Sequence, residues 1–314
     1  MTSVACIGEC MIELRQATDG RLSRGYGGDT LNTAVYLARL GTPVDYVTAL
    51  GDDPISDEMV AGWAMEHVGT RWVMRLAGKL PGLYMIETDA AGERRFYHWR
   101  DASAVRSLLS LPQTGELLDA LAGYGLVYFS AITLSLFDEA GRRRLLAALA
   151  RARRNSVRVA FDTNFRSRGW PDLEIARQAY REAFDAADIV LASTEDMSAL
   201  YPGETGDQLL ARIPSAEAVM KLAEPASLVR SAGVLQSVRA DPVPGTVVDT
   251  TAAGDSFAAA YLAARLHGAD PVAAAGAGHR LAGTVVCHPG AIIPLDAMPE
   301  HILSGSAAPR EASA

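Results

Sequence analysis

Asp249-Thr250-Thr251-Ala252-Ala253-Gly254-Asp255-Ser256-Phe257 sets a run of small residues and then a carboxylate at the mouth of an Ala-rich stretch, 258–264, with the character of a buried helix. Small side chains let the N–H groups of a helix start come close to an anion, and the helix dipole adds about half a positive charge there. Ala252, Ala253 and Gly254 can therefore hold a phosphate through their main chain, and Asp255, in the first turn, can serve as a base. The same residues would also make a tight turn opening a core helix, and alone they do not choose. Toward the other end of the chain, Gly25-Tyr26-Gly27-Gly28-Asp29-Thr30-Leu31-Asn32 offers glycines that permit close backbone approach and an Asn that both donates and accepts. Such a surface suits a polyhydroxylated ligand; the competing reading is a glycine turn whose Asp29 or Thr30 caps the following helix.

Bringing residues from both ends to one place requires a framework. Apolar runs rich in Val, Ile and Tyr alternate with segments of helical period, the pattern of parallel strands joined by crossover helices. Core strands are expected at 3–8, 44–50, 126–132, 157–162 and 188–192, and helices at 30–40, 54–67, 137–153, 172–186 and 254–267. Gly41 closes the first helix and Pro54 fits the first turn of the second. Two segments break the rhythm, 10–26 and 72–100; in the second, 83–88 and 94–99 flank a turn at 89–92. They read as a small antiparallel sheet emerging from the α/β core, a natural lid for chemistry that must exclude water. Residues 1–303 are expected to form one domain carrying this lid, and 304–314, small and polar, a frayed tail.

A formal charge of −8 without a basic block argues against a nucleic-acid partner. No charged leader opens the chain, and no run approaches the roughly 18 apolar residues of a membrane span, so a cytoplasmic protein is expected. The three cysteines, 6, 10 and 287, are too few and odd in number for a disulfide framework, which suits a reducing compartment. The six histidines are scattered without zinc-ligand spacing.

The glycine turn and the Asp-Thr-Thr-Ala-Ala-Gly-Asp segment together resemble the paired signatures of the ribokinase-like (PfkB) carbohydrate kinases. The resemblance continues through Ile7-Gly8-Glu9-Cys10-Met11-Ile12-Glu13-Leu14, Leu80-Pro81-Gly82-Leu83-Tyr84, Phe96-Tyr97-His98-Trp99-Arg100, Phe161-Asp162-Thr163-Asn164-Phe165-Arg166 and Gly290-Ala291-Ile292-Ile293-Pro294. It implies a mostly parallel sheet sandwiched by helices with a small β-sheet lid. It also implies a kinase that uses ATP and Mg²⁺, the metal riding on phosphates and water. Residue by residue, it makes Asp255 the base that takes a proton from a sugar hydroxyl as that oxygen attacks the γ-phosphate. Ala252, Ala253 and Gly254 become the anion hole; Asn164 and Lys221 meet the nucleotide together with Ala252 and Gly254; Gly28, Asn32, Tyr84, Arg100 and Arg166 hold the acceptor. Arg100 and Arg166, whose planar forks match a carboxylate, go with a keto-deoxy sugar acid phosphorylated at its terminal hydroxyl. A neutral sugar such as fructose or ribose, a nucleoside, or a non-catalytic sugar-binding regulator are the alternatives. A potassium site near Asp249 and Thr251 and a homodimer formed through the lid are further implications.

Three places depart from the family pattern. Ala223 and Ala226 stand where glycines are usual, with Glu224 and Pro225 between them, so the nucleotide loop is expected to be reshaped. Ser193-Thr194-Glu195-Asp196 only approximates an Asn-x-x-Glu motif, and Ala252 replaces the first glycine of the cradle.

Overall fold

The computed structural model describes residues 2–16, 19–88 and 94–303. Its strands are β1 (Val4–Ile7), β2 (Met11–Gln16), β3 (Leu22–Gly27), β4 (Val44–Gly51), β5 (Gly69–Leu76), β6 (Leu83–Thr88), β7 (Arg94–Trp99), β8 (Leu126–Ser130), β9 (Arg158–Asp162), β10 (Ile189–Ser193), β11 (Glu217–Lys221), β12 (Ala226–Ser231) and β13 (Val234–Arg239). The helices are α1 (Asp29–Arg39), α2 (Pro54–Met65), α3 (Thr114–Ala120), α4 (Ala131–Ser135), α5 (Glu139–Arg154), α6 (Leu173–Ala186), α7 (Thr194–Leu200), α8 (Gly206–Ala211), α9 (Ala253–Leu266) and α10 (Pro271–Val285). The five strands and five helices expected from periodicity are all present. Gly41 takes the left-handed conformation after α1, and Asp53 caps α2 by accepting from Ile55 and Ser56 ahead of Pro54.

Nine strands form one sheet in the order β13-β12-β11-β10-β9-β8-β1-β4-β5, parallel from β5 through to β11, with β12 and β13 added antiparallel. Both faces are covered, which is why its strands read as nearly continuous apolar runs. The alternation of the pleat sorts them: Ile7, Val127, Phe129, Val159 and Phe161 join the core beneath α3, α5, α6, α7 and α8. Cys6, Tyr46, Tyr128, Ala160 and Leu191 join the core beneath α1, α2, α9 and α10. Because β1, β8, β9, β10 and β11 run parallel, Glu9, Ser130, Asp162, Ser193 and Lys221 gather along one edge, where ligands bind in open α/β sheets.

The second sheet has the order β3-β2-β6-β7, two antiparallel hairpins joined by parallel pairing of β2 with β6. Its base is the direct continuation of β1 through Gly8–Cys10. Residues 72–76, expected within the second lid segment, instead complete β5 at the edge of the large sheet, in register with Val47–Gly51. Burial explains the shift: Trp72 packs into one core and Val73 against the other, a two-sided strand that the lid could not cover. Within this segment, the strands of the small sheet start at Leu83. The turn at 89–92 and the tail at 304–314 lie outside the described residues.

Candidate active site

The two ends of the chain meet. Asn32, on the second turn of α1, donates its side-chain amide to Asp255 Oδ2 at 2.8 Å, and Thr33 reaches the Asp255 carbonyl at 3.3 Å. This contact arises from the packing of α1 against α9, whose residues Ser256 to Ala264 are all buried. Asp255 therefore projects from the first turn of a helix that the core holds rigidly. Ala252 precedes that helix at φ 60°, in the left-handed region, which turns the chain sharply into the helix start, where the Ala253 N–H donates to the Thr250 carbonyl at 3.2 Å. An Ala tolerates this position at a cost of roughly 1–2 kcal/mol.

Asp255 lies among like charges. Burial, and then the neighbouring Asp29, push its carboxyl up to about 7, with Asn32 and Lys221 acting in the opposite sense. Each acid here has a side-chain donor: Asn32 for Asp255, Asn164 for Asp29 at 2.9 Å, and Lys221 for Asp162 at 3.3 Å; Asp162 also accepts from the Asn164 N–H at 3.1 Å. Burial also raises the Asp162 carboxyl, against the pull of Lys221. Lys221 reaches this group from the end of β11; its Nζ would lie 3.4 Å from a Cβ on Gly254, which sets the ammonium against the helix start.

The glycine turn works by proximity. Gly28 caps α1 in an extended conformation open to any residue, yet a Cβ there would fall 2.1 Å from the Glu9 carbonyl oxygen. Neither Asp29 nor Thr30 caps the helix. From the lid, Tyr84 donates its hydroxyl to Glu13, and Arg100 pairs with Glu9, which is 2 % exposed. Burial raises the Glu9 carboxyl, opposed by Arg100 and Ser103. His98 stacks on Tyr84 with ring centroids 6.0 Å apart; its partial burial and the charges of Arg100 and Arg168 hold its pKa below the ordinary value.

The sequence-derived residues thus fall into groups. Gly28, Asn32, Gly254, Asp255, Asn164 and Lys221 converge, and Tyr84 and Arg100 stand on the lid side with Glu9 and Glu13. Arg166 is set apart: its side chain is 61 % exposed and its contacts are the Phe165 carbonyl and Asp196. Asp196 is itself engaged, accepting from Thr163 at 2.9 Å and from the Phe165 N–H at 3.0 Å, so the approximate motif at 193–196 anchors the loop after β9. Asp249 accepts from the N–H groups of Thr251 and Gly290, with Arg15 at 3.8 Å. The turn at 222–226 closes without a positive φ, through Leu222 to Ala226 and Ala240 to Pro225 hydrogen bonds. Sequence reasoning considered Asp29 only as a helix cap and gave no role to Asp162, Glu13, His98 or Arg168. Asp162 had a readable signal, being the last residue of a strand on the ligand-binding edge.

The model of the pfkB family of carbohydrate kinases matches residues 1–298. The chain belongs to this family. Among similar proteins, the 2-dehydro-3-deoxygluconokinase of Dickeya dadantii is 47 % identical over 306 residues, covering 95 % of this kinase and 98 % of the relative. That of Escherichia coli K12 is 43 % identical over 305 residues, with 94 % and 98 % covered. The fructokinase of Xylella fastidiosa, solved with bound ATP, shares the fold at a TM-score of 0.82 and 22 % identity, with 96 % of this kinase and 97 % of that chain covered. The arrangement is that of an ATP-dependent sugar kinase. Among the described residues no helix is long and apolar enough to cross a membrane.

Proposed function

We propose that this kinase transfers the γ-phosphoryl group of ATP to the terminal hydroxyl of 2-keto-3-deoxygluconate, giving the 6-phosphate and ADP. The observation that carries the reading is the Asn32–Asp255 hydrogen bond, because it sets a base between an acceptor wall and an anion-binding helix start. The identity of the acceptor rests on the relatives at 47 % and 43 % identity, which carry that activity in their names, and on a lid that offers a guanidinium.

In this reading the hydroxyl of the acceptor lies beside Asp255. A carboxylate cannot ionise an alcohol in advance, so its proton transfer accompanies formation of the oxygen–phosphorus bond. As that bond forms, the bond from the γ-phosphorus to the bridging oxygen breaks and ADP leaves with the electron pair. The main-chain N–H groups of Ala252, Ala253 and Gly254 hold the developing charge, that of Ala253 leaving the Thr250 carbonyl to do so, and Lys221 and Asn164 flank the phosphates. Gly28 and Asn32 hold the acceptor's hydroxyls, Tyr84 closes over it, and Arg100 meets its carboxylate, with Arg166 as a second cation recruited from its exposed position.

Mg²⁺ fits this site as a companion of the nucleotide: Asp29, Asp162 and Asp255 outnumber Lys221, and among the described residues no group of three acidic or other ligating side chains is placed to bind a metal alone. It would supply charge neutralisation on the phosphates. Potassium fits less well, because the Asp249 carboxylate already accepts two N–H donors and faces Arg15. Association into a homodimer through the lid belongs to the same reading, on the exposed Leu22, Phe96 and Trp99.

A coupled assay of ADP release with ATP, Mg²⁺ and a panel of acceptors tests the proposal. Turnover of 2-keto-3-deoxygluconate far above that of fructose or ribose is expected; preference for a neutral sugar would reject the acceptor assignment.

A further inference from the structure

We propose that Glu9 is a positioning residue for acceptor binding: it grips one edge of the Arg100 guanidinium so that the other end meets the carboxylate of the sugar acid. The proposal rests on the acceptor assignment above. Glu9 ends the run from β1 and is 2 % exposed, yet neither of its carboxylate oxygens has a hydrogen-bond partner among the described residues. Burying such a charge is costly unless a partner is well placed, and an apolar pair of similar volume would tie the lid to the core as well or better. Its partner is Arg100, one residue beyond β7, with a side chain 19 % exposed.

The geometry is one-sided. Arg100 Nη2 forms an ion pair with Glu9 Oε2, while Arg100 Nε is buried without a hydrogen-bond partner among the described residues. A guanidinium carries five N–H donors in a rigid fork, so one carboxylate can hold one edge while a second occupies the other end. The surroundings are shaped for the pair. A Cβ on Gly82 would lie 2.9 Å from Glu9 Oε1 and 3.2 Å from the Arg100 Cβ, so the chain is bare where the two side chains cross. Arg106 Nε donates to the Arg100 carbonyl at 3.2 Å, fixing the main chain from behind. The Glu9 carbonyl lies against Gly28, so the same residue touches the acceptor wall with its backbone and the lid cation with its side chain.

Steady-state kinetics on Glu9→Gln, Arg100→Lys and the double variant, with 2-keto-3-deoxygluconate and ATP, test this. Glu9→Gln should raise the KM of the acid by about tenfold or more, leaving kcat within about threefold and the KM of ATP unchanged. Arg100→Lys should do the same, and the double variant should be no worse than the poorer single one, since both remove one unit. Glu9→Asp should recover part of the loss. The proposal is overturned if the two effects multiply, or if Glu9→Gln weakens ATP and acid alike. It is also overturned if Arg100→Lys leaves the KM of the acid untouched, an outcome that spares the kinase reading. Failure of the unmodified enzyme to turn over the acid would defeat both. Should Glu9→Gln not fold, Glu9→Asp with Arg100→Lys completes the same cycle.

Discussion

Asn32 and Asp255, 223 positions apart in sequence, are joined side chain to side chain at 2.8 Å. The amide fixes the direction of the carboxylate and is the first of its interactions to favour the charged form. Substrate wall and base are thereby one rigid unit, formed by the packing of α1 on α9.

Replacing Asp255 with Asn should lower kcat by roughly 10²–10⁴-fold, the usual contribution of a placed general base. Calorimetry with the acceptor and a non-hydrolysable ATP analogue should still detect both ligands. Loss of binding together with turnover would instead make Asp255 an anchor.

The same substitution should stabilise the protein at alkaline pH. The folded carboxyl, at about 7, lies above the unfolded value of about 3.9, so the native state binds the extra proton between them. Its contribution to stability is full below about pH 4 and is lost as pH rises through about 7. Asp255→Asn should therefore melt above the parent protein at pH 8, with the gap closing toward pH 4; equal gaps at both would refute the linkage.

Activity should titrate in the opposite sense, because the base must be unprotonated. The rate kcat/KM should fall about tenfold per unit as pH drops below about 7. Asn32→Ala removes an interaction that lowers the Asp255 pKa, so its acid limb should move to higher pH. A limb that stays in place would assign the titration to another group.

Gly28→Ala introduces a methyl group 2.1 Å from the Glu9 carbonyl, whereas Gly25→Ala meets nothing within 4 Å. Backbone must move in the first case, at a cost of roughly 1–3 kcal/mol. Chemical denaturation and the KM of the acceptor should both register Gly28→Ala and leave Gly25→Ala close to the parent.

Ala252→Gly relieves a left-handed Ala at φ 60°. Stability should rise by about 0.5–1 kcal/mol net of the added freedom of the unfolded chain. Turnover should stay within about twofold, since the cradle acts through main-chain N–H groups. A large loss of activity would mean that the methyl group itself shapes the phosphate site.

Much of this was readable from residue order. Period and capping signals located α1, α2 and α9, and the small-residue run before Asp255 marked the anion-binding turn because only backbone chemistry is needed there. Strand β5 was missed because Trp72 and Val73 face opposite cores, which blurs the alternation that marks a one-sided strand. The influence of Asp29 and Asp162 on Asp255 was invisible for another reason: electrostatic neighbours are set by which strand ends adjoin, and topology supplies that. Glu9 looked like an ordinary acid, its burial and its grip on Arg100 being properties of the lid junction.

The base stands on α9, with nine successive residues of that helix buried, whereas Tyr84 and Arg100 hang from a thin four-stranded sheet whose β3 is mostly exposed. Such margins open at lower free energy than core helices. Warmth or mild denaturant would thus dull the enzyme's appetite for sugar well before it blunted the tool that does the cutting and joining.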